Sequence, residues 1–322
     1  MIGLTRRALF GVAAALSLPG TPRAQETPLR IIFPFAAGGS ADALLRHAAE
    51  MLRDRLGRPV IVDNRAGGGG RIGVRALKEA GADGSTILLA AGAQVFLQPH
   101  LYPDLGYDPF VDLLPLAQMM TFAQALAVGP KVPATTLREL ADWLRGSPDR
   151  LVYGSPGAGT GAHFAGMQFA ATSGLDMRHV AYRGTPAALP DLLAGRLPVY
   201  LASEAELIEQ HKAGGLRILA TLDARRSAVT PDIPTFRESG FEIVAPAWFA
   251  FYAPAGTPAA ATKRLTDALA AVIGDPTMRQ RMAGLGYTPS GASGEELARL
   301  QRAEFNRWEP IVKASGFKPE TN

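Results

Sequence analysis

The sequence has no cysteine, and its few histidines show no metal-binding arrangement. None of the 322 residues is Cys, so no disulfide can form and the fold must be stabilised by its apolar core. The five histidines, at positions 47, 100, 163, 179 and 211, do not have the spacing of metal ligands. We therefore predict no metal site.

Motifs for nucleotide binding and for catalysis are also absent. The glycine-rich segment 153–163, YGSPGAGTGAH, has no Lys where a P-loop requires one, and Ser155 does not stand in the G-x-S-x-G pattern of a hydrolase nucleophile. Neither this segment nor the earlier PFAAGGSAD, residues 34–42, has the ordered glycines of a dinucleotide fingerprint. The sequence therefore predicts loops rich in hydrogen-bond donors, with no cofactor and no enzymatic activity.

The first 24 residues have the parts of an export signal. Arg6 and Arg7 precede an apolar stretch at residues 8–18, and Ala24 is a small residue suited to cleavage. This stretch is too short to span a bilayer, which requires about 20 residues in a helix. We predict a periplasmic protein whose signal peptide, residues 1–24, is removed near Ala24. The general secretory and the twin-arginine routes both remain open.

The chain that remains after cleavage is nearly neutral. The formal charge of +4 falls to +1 when Arg6, Arg7 and Arg23 leave with the signal. No basic run and no second apolar segment of membrane length remain, which argues against nucleic acid or an anionic membrane surface as a partner. The mature protein is expected to be soluble.

Apolar runs alternate with helical patterns from residue 29 onward. The segments 29–35, 59–64 and 86–91 are continuous apolar runs, typical of buried parallel strands. Between them, residues 41–57 place leucines and alanines on one helical face, and residues 70–80 indicate a second helix. This order predicts an α/β fold in which a parallel sheet is covered on both faces.

The same alternation recurs in the middle of the chain, so two α/β units are expected. Two apolar, extended segments, residues 113–130 and 241–258, are placed to connect them. If both cross between units, the protein is a two-domain flytrap with a hinge of two crossing strands. Residues 25–125 plus 250–322 then form the first domain and residues 126–249 the second. The cleft between such domains is a natural ligand site.

The loop at residues 34–42 follows a predicted strand and precedes a predicted helix. Gly38 and Gly39 leave backbone N–H groups open to a ligand, and Ser40 adds a hydroxyl donor, a combination that suits a carboxylate or a phosphate. The alternative is a plain turn with Ser40 as the helix cap. Asp42 would repel an anion, so it is expected to brace the loop.

The loop at residues 153–163 repeats this chemistry with four glycines, Ser155 and Thr160. His163, which follows it, is either an organiser of the loop or a ligand contact. Tyr182 ends another predicted strand and could supply a donor to the cleft.

Two further features are left open by the sequence. The glycine cluster at residues 63–73 could serve the site through Asn64 and Arg65, or it could be a packed loop under the cleft. Trp248 and Phe249 are more often hinge packing than ligand contacts.

Eight motifs occur in an order that resembles a known family. They are FPFAAGGSAD, VIVDNRAGGGGRIG, DGSTILLA, YDPFVDLLPLAQ, YGSPGAGTGAHF, HVAYRGTPAALPDLLAGRL, PDIPTFRESGF and APAGTP. Together they resemble the substrate-binding proteins of tripartite tricarboxylate transporters, often called Bug proteins, over nearly the whole mature chain. The resemblance implies a periplasmic-binding-protein type II flytrap. It also implies small carboxylate ligands, held largely by backbone amides and bridging waters.

The resemblance further implies the site and its partners. One wall of the cleft would be formed by residues 35–42 of the first loop. The other would be formed by residues 155–160 of the second loop, together with His163 and Tyr182. The implied ligand-binding residues are Phe35, Ala36, Gly38, Gly39, Ser40, Ala41, Asp42, Ser155, Gly157, Ala158, Gly159, Thr160, His163 and Tyr182. The implied partners are a small organic carboxylate and integral-membrane transporter components, and the receptor is expected to be a monomer.

Three departures from the family pattern leave the ligand class open. Ala36 and Ala37 stand where the family often has proline, Ser40 stands where it has a third glycine, and Ala202 stands where it commonly has an acidic residue. All of these positions are expected near the cleft.

Two other functions share these features. A sensory receptor for a two-component system would bind its ligand in the same way and differ only in its partner surface. An exported enzyme would require a nucleophile–base pair, a metal set or two opposed carboxylates, and the sequence shows none of these.

Overall fold

The computed structural model describes residues 27–245, 247–315 and 317. The predicted signal peptide, residues 1–24, lies outside the described residues. In chain order the strands are β1 (Leu29–Phe33), β2 (Val60–Asn64), β3 (Thr86–Ala91), β4 (Leu113–Phe122), β5 (Gln124–Val128), β6 (Val152–Ser155), β7 (Arg178–Ala181), β8 (Val199–Ser203), β9 (Arg217–Thr221), β10 (Ala247–Pro254) and β11 (Tyr287–Pro289).

Helices connect these strands and cover the sheets. They are α1 (Ser40–Leu56), α2 (Arg71–Lys78), α3 (Gly92–Phe96), α4 (Gln98–Leu101), α5 (Leu137–Arg145), α6 (Gly161–Thr172), α7 (Thr185–Leu193), α8 (Ile208–Lys212), α9 (Ala259–Ile273), α10 (Pro276–Gly284) and α11 (Gly294–Ser315). Short 3-10 turns occur at Gly68–Gly70, Pro148–Arg150 and Glu204–Glu206. No helix in the described ranges is both long enough and apolar enough to cross a membrane.

The first sheet has six strands in the order β11-β4-β10-β3-β1-β2. Strand β1 pairs in parallel with β2 and β3, whereas β10 is antiparallel to both β3 and β4, and β11 is antiparallel to β4. The predicted α/β fold is confirmed. The expectation of a wholly parallel sheet is wrong, because β10, which returns from the second sheet, and the short edge strand β11 run in the opposite direction to β1.

The second sheet has five strands in the order β7-β6-β8-β5-β9. Strand β6 is parallel to β7 and β8, while β5 is antiparallel to β8 and β9. A mixed sheet again results, since β5 arrives directly from the first sheet.

The chain passes between the sheets at two places. Only Ala123 separates β4 of the first sheet from β5 of the second, and the return runs from Thr221 at the end of β9 to Ala247 at the start of β10. The domain boundaries predicted near residues 125 and 250 lie within a few residues of these passages. The division into two domains stays a prediction.

Helix α1 shows how the core positions the first loop. Its side chains Leu45, Leu52 and Leu56 are at most 3% exposed and pack on the first sheet, as the helical pattern predicts. Burial of each leucine contributes about 1.5–3 kcal/mol, so the helix is firmly docked. Gly57 then ends it in a left-handed conformation, with φ of 69°, and its N–H donates to the Arg53 carbonyl. The N-terminus of α1 is thereby fixed at the carboxyl end of β1.

Candidate functional site

A cleft between the two sheets forms the candidate site. It contains about 930 Å³ of space not filled by protein, part of it open to solvent. Its walls are the end of β1, the start of α1, the turn into α3, the starts of α6 and α7, the 3-10 turn at Glu204–Glu206 and the start of β10. This size suits a small organic molecule.

The charges of the lining are unbalanced. Asp42 and Glu206 are its acidic side chains, and no Lys, Arg or His lines the cleft among the residues that the structure describes. A ligand anion would therefore have to be stabilised by dipoles and neutral hydrogen-bond donors.

Asp42 braces the first loop, as the sequence predicts. Its carboxylate accepts hydrogen bonds from Arg46 Nε at 2.9 Å, from the Gly38 N–H at 3.1 Å and from Asn64 Nδ2 at 2.8 Å. Burial acts to raise the pKa of Asp42, but these hydrogen bonds together hold that pKa below its ordinary value. The loop is thus held in place by an ionised carboxylate that is already fully engaged.

Ser40 is the first residue of α1, and Gly39 is the cap that precedes it. The hydroxyl of Ser40 donates to Glu206 Oε1 at 2.8 Å and lies 2.8 Å from the Tyr287 hydroxyl. The backbone N–H of Ser40 donates to the same carboxylate oxygen at 2.8 Å. The donors expected to receive a ligand at this point instead hold a side chain from the opposite wall.

Two helix N-termini of the second sheet face the same cleft. Thr160 caps α6 by accepting the His163 N–H at 3.2 Å, and the first residues of α6 line the cleft. Gly184, with φ of 108°, turns the chain into α7 in a conformation that side chains disfavour. The first N–H groups of a helix have no acceptor within the helix, and they carry a partial positive charge. The second wall is therefore suited to an anion without any basic side chain.

The glycines of the second loop form a contact between the walls. A Cβ atom built on Gly157 would lie 2.9 Å from the Gly69 Cα, and one built on Gly69 would lie 1.9 Å from the Ala158 carbonyl oxygen. Gln98 Nε2 donates to the carbonyls of Gly69 at 2.9 Å and Gly159 at 3.2 Å. The cluster at residues 63–73 therefore packs against the second loop through Gly69.

His163 lies behind the second loop. Its Nδ1 accepts the Gly159 N–H at 3.0 Å, and its ring stacks on His179 with centroids 3.8 Å apart. Burial lowers the pKa of His163 to about 4. Burial and the charge of His163 lower the pKa of His179 to about 3. Both rings are therefore neutral at pH 7, and His163 organises the loop.

The structure brings together one serine–histidine pair that the sequence did not indicate. Ser155 Oγ lies 2.8 Å from His179 Nε2, but it is 0% exposed and its hydroxyl donates to the Gly157 carbonyl at 3.0 Å. A nucleophile must reach substrate and give its proton to the base. This pair does neither, so it is a structural contact.

Tyr182 lies at the edge of the second sheet. Its hydroxyl donates to Asp191 Oδ2 at 2.9 Å. Burial, followed by this hydrogen bond to Asp191, raises the pKa of Tyr182 to about 12. Its hydroxyl is thus engaged within the second wall.

The predicted residues fall into two groups by their position. Those that line the cleft are Phe35, Ala36, Gly39, Ala41, Asp42 and Thr160. Those that support the walls from behind or join them are Gly38, Ser40, Ser155, Gly157, Ala158, Gly159, His163 and Tyr182. Their contact with a ligand stays a prediction.

Several lining residues were not among the predicted site residues. The most informative are Glu206 and Trp248. Trp248 is 4% exposed, and its indole Nε1 has no hydrogen-bond partner among the described residues. A buried donor without an acceptor is costly, so its presence in a cleft points to an acceptor on a ligand. A tryptophan at the start of a connecting strand was the available sequence signal.

The chain is similar to a family of receptors over most of its length. The family described as the tripartite tricarboxylate transporter family receptor matches residues 44–317. The protein BugT of Bordetella pertussis is 32% identical over 313 residues, which cover 97% of this chain and 95% of that protein.

Two solved structures show the same similarity in three dimensions. An R. palustris protein with adipate has a TM-score of 0.86 and 29% identity, covering 91% of this chain and 99% of that one. MatC of Rhodopseudomonas palustris with bound malate has a TM-score of 0.84 and 26% identity, covering 88% of this chain and 98% of that one.

Proposed function

This chain belongs to the tripartite tricarboxylate transporter receptor family, and from that membership we propose that it binds a small organic carboxylate in its cleft and delivers it to an integral-membrane transporter. Members of this family are periplasmic solute-binding proteins, not enzymes. The family resemblance predicted from the eight motifs is confirmed. We also propose that the chain is exported, with cleavage near Ala24, and that it acts as a monomer.

The observation that carries the proposal is the combination of donors in the cleft. The starts of α6 and α7 and the unpartnered indole N–H of Trp248 border it, and no basic side chain lines it among the described residues. A buried carboxylate is tolerated only if its hydrogen bonds are satisfied, and helix N-termini together with a side-chain N–H can provide them. The proteins that hold adipate and malate support the same class of ligand.

We further propose that the two sheets are the cores of two domains that close on the ligand. The passages at Ala123 and between β9 and β10 are the two places where a hinge can bend. Scattering curves recorded with and without saturating ligand are expected to differ, with a smaller radius of gyration in the complex. Identical curves would contradict domain closure.

A thermal-shift screen of the mature protein tests the binding proposal. Protein stripped of copurified ligand by unfolding and refolding is screened against mono-, di- and tricarboxylates, with the matching amides as neutral controls. A carboxylate at 100 times its dissociation constant should stabilise the protein by about 2.7 kcal/mol, which shifts the melting temperature by several degrees. If no carboxylate gives a shift, or the amides give equal shifts, the proposal fails.

Delivery to a transporter has its own test. Deleting the gene in its native host is expected to abolish uptake of the radiolabelled carboxylate, and the plasmid-borne gene should restore it. If uptake continues unchanged after the deletion, the protein binds its ligand but does not deliver it to a transporter.

The indole of Trp248 allows the contribution of one hydrogen bond to ligand affinity to be predicted. Trp248→Phe keeps an aromatic ring in the wall but removes the Nε1 donor. A hydrogen bond to a charged group contributes about 1.5–3 kcal/mol, so the affinity for a carboxylate should fall by roughly 10- to 100-fold. The stability of the ligand-free protein should not fall in proportion, because the donor has no partner among the described residues.

Trp143→Phe is the matched control for this variant. Trp143 lies on α5, outside the cleft lining, and stacks on Arg150. Isothermal titration calorimetry should show wild-type affinity for it. Equal losses in both variants would remove Trp248 from the site.

A further inference from the structure

Glu206 places a carboxylate of the protein itself at the start of α1. It ends the 3-10 turn that follows β8 of the second sheet, whereas Ser40 begins α1 beside the first sheet. Glu206 Oε1 accepts the Ser40 N–H at 2.8 Å and the Ser40 hydroxyl at 2.8 Å. Since the Ser40 hydroxyl donates to Glu206, the Tyr287 hydroxyl, 2.8 Å away, donates to Ser40. One acidic side chain therefore crosses the cleft and takes these donors.

The backbone of the first loop is shaped to this carboxylate. A Cβ atom built on Gly39 would lie 2.7 Å from Glu206 Oε1 and 2.9 Å from Oε2. Both distances are shorter than any van der Waals contact. The carboxylate thus occupies the space that a side chain at position 39 would need.

The charges of the cleft determine whether a ligand carboxylate can bind next to Glu206. The other acidic lining residue, Asp42, is paired with Arg46 at 2.9 Å. No basic side chain lines the cleft among the described residues, so nothing in the lining offsets the charge of Glu206 with a cation. A ligand carboxylate brought to this end would meet a like charge in a partly desolvated space.

The rest of the cleft is suited to one carboxylate and an apolar body. Trp248 offers a buried Nε1–H that has no partner among the described residues. Beside it, Phe249 stacks on Phe122 with ring centroids 5.0 Å apart and contacts Phe35 at 6.2 Å. The cleft is lined by all four of these side chains, those of Trp248, Phe249, Phe122 and Phe35. Apolar ligand surface can be buried against these rings.

We propose that Glu206 stands in for a second ligand carboxylate, so that the cleft selects monocarboxylates with an apolar body and rejects dicarboxylates. The inference rests on the proposed function, because it specifies the ligand class of that same site. Glu206 acts as a specificity residue: its charge repels the second carboxylate, and its side chain fills the place that this group would take.

The test uses two pairs of acids that differ only by a second carboxylate. Hexanoate is compared with adipate, and benzoate with terephthalate, by isothermal titration calorimetry on ligand-stripped protein at constant ionic strength. Wild-type protein should bind at least one monocarboxylate about tenfold or more tightly than its dicarboxylate partner. Glu206→Gln, which keeps an acceptor for Ser40 but removes the charge, should reduce this ratio.

Two more variants sharpen the result. Glu206→Ala opens the place on Ser40 and should increase the absolute affinity for the dicarboxylate by about tenfold. Glu209→Gln makes the same chemical change at an exposed position on α8, outside the cleft lining, and should leave the ratio unchanged.

Each outcome separates the two proposals. Dicarboxylates that bind the wild-type protein as tightly as their monocarboxylate partners overturn the role of Glu206 while the carboxylate receptor stands. A ratio unchanged by both Glu206 variants, or an equal loss of affinity for all four acids in Glu206→Ala, also overturns it, since Glu206 would then only close the cleft. If none of the four acids binds to any variant, the selection of apolar monocarboxylates is overturned, and the thermal-shift screen against the other carboxylates decides whether the receptor proposal stands.

Discussion

Gly39→Val is expected to abolish carboxylate binding while leaving the protein folded. Gly39 has φ of −80° and ψ of 168°, an ordinary extended conformation that valine adopts readily, so no backbone strain is introduced. Its Cβ would lie 2.7 Å from Glu206 Oε1. The Glu206 side chain must then leave Ser40, which breaks two hydrogen bonds and drives a charged group into the cleft. We expect the affinity to fall by about 100-fold or more.

Gly81→Val is the matched control for this substitution. Gly81 is exposed, has no left-handed φ and has no atom within 4 Å of the position of its Cβ. Both variants should show native circular dichroism, and Gly81→Val should keep wild-type affinity in calorimetry. If Gly39→Val binds carboxylate within about threefold of wild type, the first loop is not part of the site.

A double variant separates the collision from other causes. Glu206→Ala removes the atoms that a side chain at position 39 would meet. Gly39→Ala should therefore be much less harmful to binding when Glu206→Ala is also present, which gives a coupling energy of about 1–2 kcal/mol. Losses that simply add would show that the two residues act independently.

The sequence predicts those parts of the fold in which the signal is local. Strand β3 covers Thr86–Ala91, the same residues as its apolar run, and α1 begins within one residue of its predicted start. Both elements are buried on a continuous apolar face, so their periodicity survives in the sequence. Strand β11 spans only Tyr287–Pro289, and its partner β4 is more than 160 residues away, so no local pattern could indicate it.

The residues of the candidate site were likewise predictable only where their signal in the sequence is local. The first loop was predictable because glycines between an apolar run and a helical pattern indicate an accessible N-terminus. Glu206 was not predictable as a site residue. Its partner Ser40 lies 166 positions earlier, and no periodic pattern in the sequence links a 3-10 turn to the start of a distant helix. The departures noted at Ala202 and Ser40 were the nearest clues. Ala202 lies on β8, shortly before Glu206 in the second wall, and Ser40 in the first wall is the residue that Glu206 bonds directly.

The buried histidine pair predicts a steep loss of stability in mild acid. Burial holds the pKa of His163 at about 4, and burial with the charge of His163 holds that of His179 at about 3. An unfolded histidine has a pKa of about 6.5, so the unfolded chain binds more protons than the folded one between these values. The stabilising contribution of both residues is therefore complete above pH 6.5 and is lost as the pH falls towards 4.

The expected size of this effect is large for one pair of side chains. Each unit of pKa difference corresponds to about 1.4 kcal/mol, so the free energy of unfolding should fall by something on the order of 3–5 kcal/mol between pH 7 and pH 4.5. Urea unfolding followed by circular dichroism at several pH values measures it. The combined variant His163→Asn and His179→Gln should have a much flatter profile over this range, although its stability at pH 7 is lower.

His211→Asn provides the control, and ligand binding provides the functional consequence. His211 also accepts a backbone N–H, that of Ile218 at 3.3 Å, but it lies half-buried on α8, away from the second loop. His211→Asn should keep the wild-type dependence of the unfolding free energy on pH.

Because His163 holds Gly159, and Gly159 is joined to Gln98 across the cleft, protonation of the histidine pair should loosen the contact between the walls. Carboxylate affinity should then fall below pH 5 in the wild type more steeply than in the combined variant, and parallel curves would show that the histidine pair stabilises the fold without controlling the cleft.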